Sequence, residues 1–120
     1  MIGFSLSTPL YLYSHPADMR KSFDGLAGLV TNELQLNPMN DGLFIFVNKR
    51  RDRMKILLWD RHGFWLLYKR LEAGRFQVPP YEKDISPEGL SLDYEQLLMI
   101  TEGIDLKSVK RKKRYKIAHK

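Results

Sequence analysis

The chain has 120 residues, of which 43% are hydrophobic and 28% charged, with no cysteine. That length fits a single domain and excludes a large multidomain engine such as a polymerase. The missing cysteines exclude disulfides and thiolate metal sites, and no apolar run approaches the roughly 20 residues of a membrane span. The N-terminus lacks a basic segment followed by an apolar core, so no secretory signal is read and a cytoplasmic protein is expected.

The formal charge of +6 is unevenly placed. From Lys107 to Lys120 there are eight Lys or Arg and no acid, so the preceding 106 residues sum to −2. Within those, residues 49–75 carry nine bases against three acids, and residues 76–106 carry one base against seven acids. Two basic blocks flank an acidic one. Basic blocks attract polyanions by releasing counterions. The plainer reading is a solvated face and a solubilising tail. The tail lacks the apolar stripe that a membrane-surface helix needs.

Leu10–Tyr13 is a short strand candidate, broken by Ser14-His15-Pro16. Met19, Phe23, Leu26, Ala27, Val30 and Leu34 recur at steps of three and four, which predicts an amphipathic helix. Gly25 and Gly28 weaken that helix but allow close packing on a sheet. Asn37-Pro38 ends it, and Asn40-Asp41-Gly42 is a turn. Strands are expected at Leu43–Val47, Arg53–Trp59, Phe64–Leu71 and Arg75–Val78, the last stopped by Pro79-Pro80. Residues 79–90 read as an acidic loop. Ser91 is the expected cap of a second helix carrying Tyr94, Leu97, Leu98 and Thr101, with Gly103 as its C-terminal cap. The order of elements predicts an α+β fold, an antiparallel meander of four or five strands packed by two helices. Residues 1–106 form this domain, and 107–120 form a mobile basic tail.

If the turn at 60–63 sets Asp60 opposite Gly63, then Trp59 faces Phe64, Leu57 faces Leu66, Lys55 faces Tyr68 and Arg53 faces Arg70. These eight share one side of the sheet. Met54, Ile56, Leu58, Trp65, Leu67 and Lys69 share the other, expected to be the core under the first helix. Arg53 opposite Arg70 is a like-charge pair, which a phosphate would relieve. Tyr68, Phe64 or Trp59 offers a ring on which a base can stack. The plainer alternative has the second helix covering the apolar end of this face and water the basic end. The aromatic set Phe44, Phe46, Trp59, Phe64 and Trp65 is more often core than ligand platform.

Several blocks resemble a known family. They are Asp18–Leu26, Gly42–Phe46, Lys49–Asp60 and Gly63–Phe76. Together they resemble the small second-reading-frame accessory proteins, called TnpB, of the insertion-sequence-66 family of bacterial transposable elements. The likeness spans about residues 10–105, with Ser22 where the family commonly has Gly. The tail after residue 106 lies outside it. The resemblance implies a role in transposition beside a separate transposase that holds the catalytic carboxylates. It carries over no catalytic residue.

No carboxylate spacing forms a nuclease motif. His15, His62 and His119 show no metal-ligand spacing, and no glycine loop cradles phosphate. No cofactor, metal or small-molecule substrate is therefore expected. The leading expectation is a noncatalytic, DNA-binding accessory protein. Its expected contacts are Lys49, Arg50, Arg51, Arg53, Lys55, Tyr68, Lys69, Arg70 and Arg75, with Lys110, Arg111, Lys112, Lys113 and Arg114 in the tail. Its expected partners are DNA, at transposon ends or nonspecifically, the element's transposase and another accessory protein. The rival is a protein-interaction module that docks the transposase without touching DNA.

Overall fold

The structure is a computed structural model that describes residues 8–78, 89–102, 104–105 and 110–111. The fold is α+β: a five-stranded mixed sheet with two helices. The strands are β1 (Leu10–Tyr13), β2 (Leu43–Val47), β3 (Arg53–Asp60), β4 (Gly63–Arg70) and β5 (Gly89–Leu92). Their spatial order is β4-β3-β2-β1-β5. The meander is thus β2 to β4. β1 runs parallel to β2 and antiparallel to β5. A parallel pair needs a long crossover, and the first helical region supplies it. A two-stranded ribbon, β6 (Ile104–Asp105) with β7 (Lys110–Arg111), follows the second helix.

All five residues of β2 are buried, which explains its unbroken apolar run. Alternate residues serve opposite faces. Phe44 and Phe46 join Tyr13, Leu26, Val30 and Leu57 on one side. Leu43, Ile45 and Val47 join Leu10, Leu58, Leu97 and Ile100 on the other. The helices α1 (Phe23–Leu29) and α2 (Tyr94–Glu102) therefore cover opposite faces. This corrects the expected assignment. The first helix lies on the face of Leu57, Phe64 and Leu66, and the second on the face of Met54 and Leu58. Trp65 and Leu67, read as core, are 44% and 37% exposed, because β4 is an edge strand.

The first helix also begins later than its apolar spacing predicts. Met19 lies in a turn closed by the Lys21 amide on the Asp18 carbonyl, 3.0 Å. The Asp18 carboxylate takes the Arg20 amide and guanidinium, which holds the turn outside the helix. α1 then widens into a π-helical segment, Val30–Leu34, ended by Gln35 in the left-handed region. At neither Gly25 nor Gly28 does the sheet supply the atoms nearest to an added Cβ. A Cβ on the first would meet Lys21, and one on the second only Asn32.

Two further expectations change. Arg75–Val78 is not a strand. Gly74, at φ +78°, redirects the chain, and the Leu71 and Phe76 amides bond to the Asp52 and Arg51 carbonyls at 2.8 and 2.7 Å. The segment wraps the β2–β3 turn and buries Phe76 completely. Ser91 is not a cap but a residue of β5. Asp93 caps α2 instead. Its carboxylate accepts from the Gln96 amide at 2.7 Å, and the Gln96 side chain accepts from the Asp93 amide at 3.0 Å. That is a reciprocal capping box. Gly103, residues 79–88 of the acidic loop, and the tail beyond Arg111 lie outside the described residues.

Candidate nucleic-acid interface

The β2–β3 turn is closed by backbone bonds from Asn48 to Arg53 and from Arg51 to Asn48, and one side chain braces it. Asn48 Oδ1 accepts from the Asp52 and Arg53 amides, both at 3.0 Å, and its Nδ2 donates to Asp52 Oδ1 at 2.8 Å. Local bonding of this kind is why Asn and Asp favour turns. The Asn48 bond also holds the Asp52 carboxyl below its ordinary pKa. The turn presents Lys49, Arg50 and Arg51 to solvent, with Arg51 at φ +61°. Because Phe76 bonds to the Arg51 carbonyl, exposed Arg75 is brought beside the same turn.

The hairpin register agrees with the sequence reading at every position, including Arg53 opposite Arg70 and Lys55 opposite Tyr68. The like-charge pair is relieved within the chain. Arg53 Nη1 donates to the Tyr68 hydroxyl at 3.1 Å, which raises the Arg53 pKa. Arg70 pairs with Glu72 at 3.0 Å. Arg53, Tyr68, Arg70 and Glu72 line an open depression of about 300 Å³. Half of the Tyr68 side chain is exposed.

The face therefore divides in two. α1 and the segment after it cover its apolar end, where Leu57, Leu66 and Phe64 pack. The basic end lies open. Of the aromatic set, Phe44 and Phe46 are core, Trp59 and Phe64 are half-buried against each other, and Trp65 is exposed.

Two cations expected at the surface have other work. Lys55 is buried, 6% exposed, and its Nζ donates to the Met19 and Lys21 carbonyls at 2.8 and 2.7 Å. Its ammonium also lies 4.7 Å from the Tyr68 ring centroid. Burial removes Lys55 from the candidate contact surface. Lys69 points to the opposite face, where Nζ donates to the Thr101 carbonyl at 2.9 Å, in the last turn of α2. A cation there satisfies a carbonyl that lacks a helical partner. Lys110 and Arg111 belong to β7, while Lys112, Lys113 and Arg114 lie outside the described residues.

Sequence reasoning missed Arg20, Lys21 and Glu72. The Lys55 bonds carry the 19–21 turn to the border of the basic end. Arg20 is exposed and paired with Asp18 at 2.7 Å. The Arg20 hydrogen bonds lower the Asp18 carboxyl to about 2. Nothing local in the sequence signals this neighbourhood, since the acceptors are backbone carbonyls.

Among the described residues no group of three or more acidic, His or Cys side chains could hold a metal ion. Nor is any helix among them long and apolar enough to cross a membrane.

Comparison with known proteins matches residues 8–111 to the family described as IS66 Orf2 like protein. The match runs through β7, past the limit of about residue 105 read from the sequence. Two similar proteins come from Sinorhizobium fredii (strain NBRC 101917 / NGR234). One, the uncharacterized protein y4jC, is 34% identical over 112 residues, covering 93% of this chain and 92% of its own. The other, the uncharacterized protein y4hO, is 37% identical over 107 residues, covering 88% of each. No solved structure matches.

Proposed function

The chain belongs to the family of IS66 Orf2-like proteins, and from that premise we propose that it is a noncatalytic, cytoplasmic accessory protein of DNA transposition that binds DNA through the basic end of its sheet. The observation that carries the DNA reading is the gathering of Lys49, Arg50, Arg51, Arg53, Arg70 and Arg75 at one end of the hairpin. The acids at that end are engaged: Asp52 in the turn and Glu72 on Arg70. Such a surface contacts phosphates, which position a protein without reading sequence. The basic tail adds nonspecific affinity, and the element's transposase and a further accessory protein complete the expected company.

The test is fluorescence anisotropy of labelled duplex DNA with the full chain across a salt series. Arg50→Ala, Arg51→Gly and Arg75→Ala together remove three exposed charges. Glycine suits the positive φ at position 51. The slope of log affinity against log salt should flatten by about 2–3, near 0.9 per phosphate contact. An unchanged slope would transfer the binding to the tail and remove this surface from the reading.

One observation favours a second reading, docking of the transposase. β4 is a sheet edge of eight residues on which Trp65 and Leu67 are exposed, and open apolar edges are places where other chains add. Co-purification with the transposase after nuclease treatment separates the two. Association that survives supports docking, and association lost with the nucleic acid supports the DNA surface.

A further inference from the structure

The depression at the open end of the α1-side face has more than charge. Tyr68 is half exposed, yet its ring is held in place. The hydroxyl takes a hydrogen bond from Arg53 at 3.1 Å. The ammonium of Lys55, itself fixed by two carbonyls, lies 4.7 Å from the ring centroid. Lys55 is buried, so it approaches the ring from the protein side. An exposed aromatic ring with a fixed orientation loses little freedom when a flat ligand stacks on it.

The flanking groups narrow the ligand class. Arg53 and Arg70 are directly opposite on β3 and β4, and both line the depression with Tyr68. Two guanidinium groups beside an aromatic ring suit a phosphate joined to a planar base. Glu72 lines the same hollow and offers an acceptor to an exocyclic amine. Its pairing with Arg70 is exposed and weak, so an arriving phosphate can displace it. About 300 Å³ is the lower bound of small-ligand pockets, the scale of one nucleotide rather than a duplex. Bases inside a duplex have both faces stacked already, so Tyr68 can receive only an unpaired one.

We propose that the Arg53–Tyr68–Arg70 depression binds one unpaired nucleotide of a DNA strand, with the base stacked on Tyr68 and the phosphate between the two arginines. The proposal rests on the DNA-binding reading and deepens it: the surface favours ends or openings of the duplex. Phosphate contacts alone give the opposite preference, because a duplex has the higher charge density.

The test uses the full chain and three labelled DNAs: a blunt duplex, the same duplex with a short single-stranded overhang, and that overhang made abasic. The overhang should bind about ten-fold more tightly than the blunt end, and the abasic overhang should lose that gain. Tyr68→Ala should abolish the preference, so that this variant binds the overhang and the blunt end with equal affinity. Tyr68→Phe keeps the ring and should retain most of it. Both variants should melt with a single cooperative transition, since position 68 is at the surface. Equal affinity for blunt and overhanging DNA overturns the stacking site and leaves the phosphate surface standing. Retained affinity for the abasic overhang, or a preference that survives Tyr68→Ala, also overturns it. Failure to bind any of the three removes the DNA reading, and this site with it.

Discussion

Lys55 and Lys21 are joined by a hydrogen bond of 2.7 Å, from the ammonium of one to the backbone carbonyl of the other, across 34 residues of sequence. With the companion bond to Met19, it ties the turn before α1 to the third residue of β3. A charge that counts toward a basic surface in the sequence is thus a structural clamp in the fold. Buried ammonium groups are tolerated only when hydrogen-bonded, and Lys55 has two carbonyls and an aromatic ring around it.

Lys55→Met therefore separates the two roles. It keeps most of the side-chain volume but leaves two carbonyls without their donor. Unfolding in urea should show a loss of about 2 kcal/mol. Hydrogen exchange should quicken at Lys21 and Leu26, whose amides bond to Asp18 and Ser22. The salt slope for DNA should stay at its wild-type value. A flattened slope with unchanged stability would return Lys55 to the contact surface.

Asn48 tests the presentation of charge rather than its amount. Asn48→Ala removes three hydrogen bonds of the β2–β3 turn and no charge. It should cost about 2 kcal/mol in stability and weaken DNA binding by loosening Lys49, Arg50 and Arg51. Asn48→Asp retains an acceptor for the two amides but replaces the Nδ2 donor by a second carboxylate oxygen against Asp52, so it should not restore wild-type stability. Affinities measured below the melting range of each variant check this, and equal DNA affinity in wild type and Asn48→Ala would show that turn geometry is irrelevant to binding.

The hairpin register was legible because a turn with Asp60 and Gly63 at its ends fixes every pair beyond it. β2 was legible as a bounded apolar run. The place of β1 was not, since Leu10–Tyr13 carries the same alternation whether it lies at an edge or in the interior. Its insertion between β2 and β5 depends on contacts about 30 and 80 residues distant. β5 was hidden because Leu90-Ser91-Leu92 is short and runs straight into the capping box at Asp93. At the site, the gathering of the basic turn with Arg53 and Arg70 followed from the register. The placing of Lys69 on the opposite face followed from it too, but the loss of Lys55 did not, because its acceptors are main-chain carbonyls that no side-chain pattern marks.

Gly42 is where β1 and β2 are locked together. Its φ is +155°, and a Cβ there would lie 2.5 Å from the Pro9 carbonyl oxygen and 3.1 Å from the Tyr11 ring. The same Pro9 carbonyl accepts the Leu43 amide at 2.9 Å. Backbone cannot yield as a flexible side chain does. Gly42→Ala should therefore lower stability by about 3 kcal/mol, with a fall in melting temperature of roughly 10 °C. A loss below about 1 kcal/mol would mean that the parallel pairing tolerates displacement at this point.

Tyr13 makes stability sensitive to alkali. Its side chain is buried, and its hydroxyl donates to Glu33 Oε1 at 2.6 Å. Burial is the larger cause, and the Glu33 carboxylate the second, of a phenol pKa raised well above its ordinary value of 10.0. In the unfolded chain the phenol ionises near 10, while the folded protein keeps its proton. Above that pH the unfolded state binds fewer protons, so stability falls as pH rises, by at most about 1.4 kcal/mol per unit for this group. Below pH 10 its contribution is fully present. Urea unfolding at pH 9 and pH 11 should show this decline in the wild type. Tyr13→Phe, which has no phenol to ionise, should show a smaller one. Equal declines in the two proteins would assign the alkaline sensitivity to other groups.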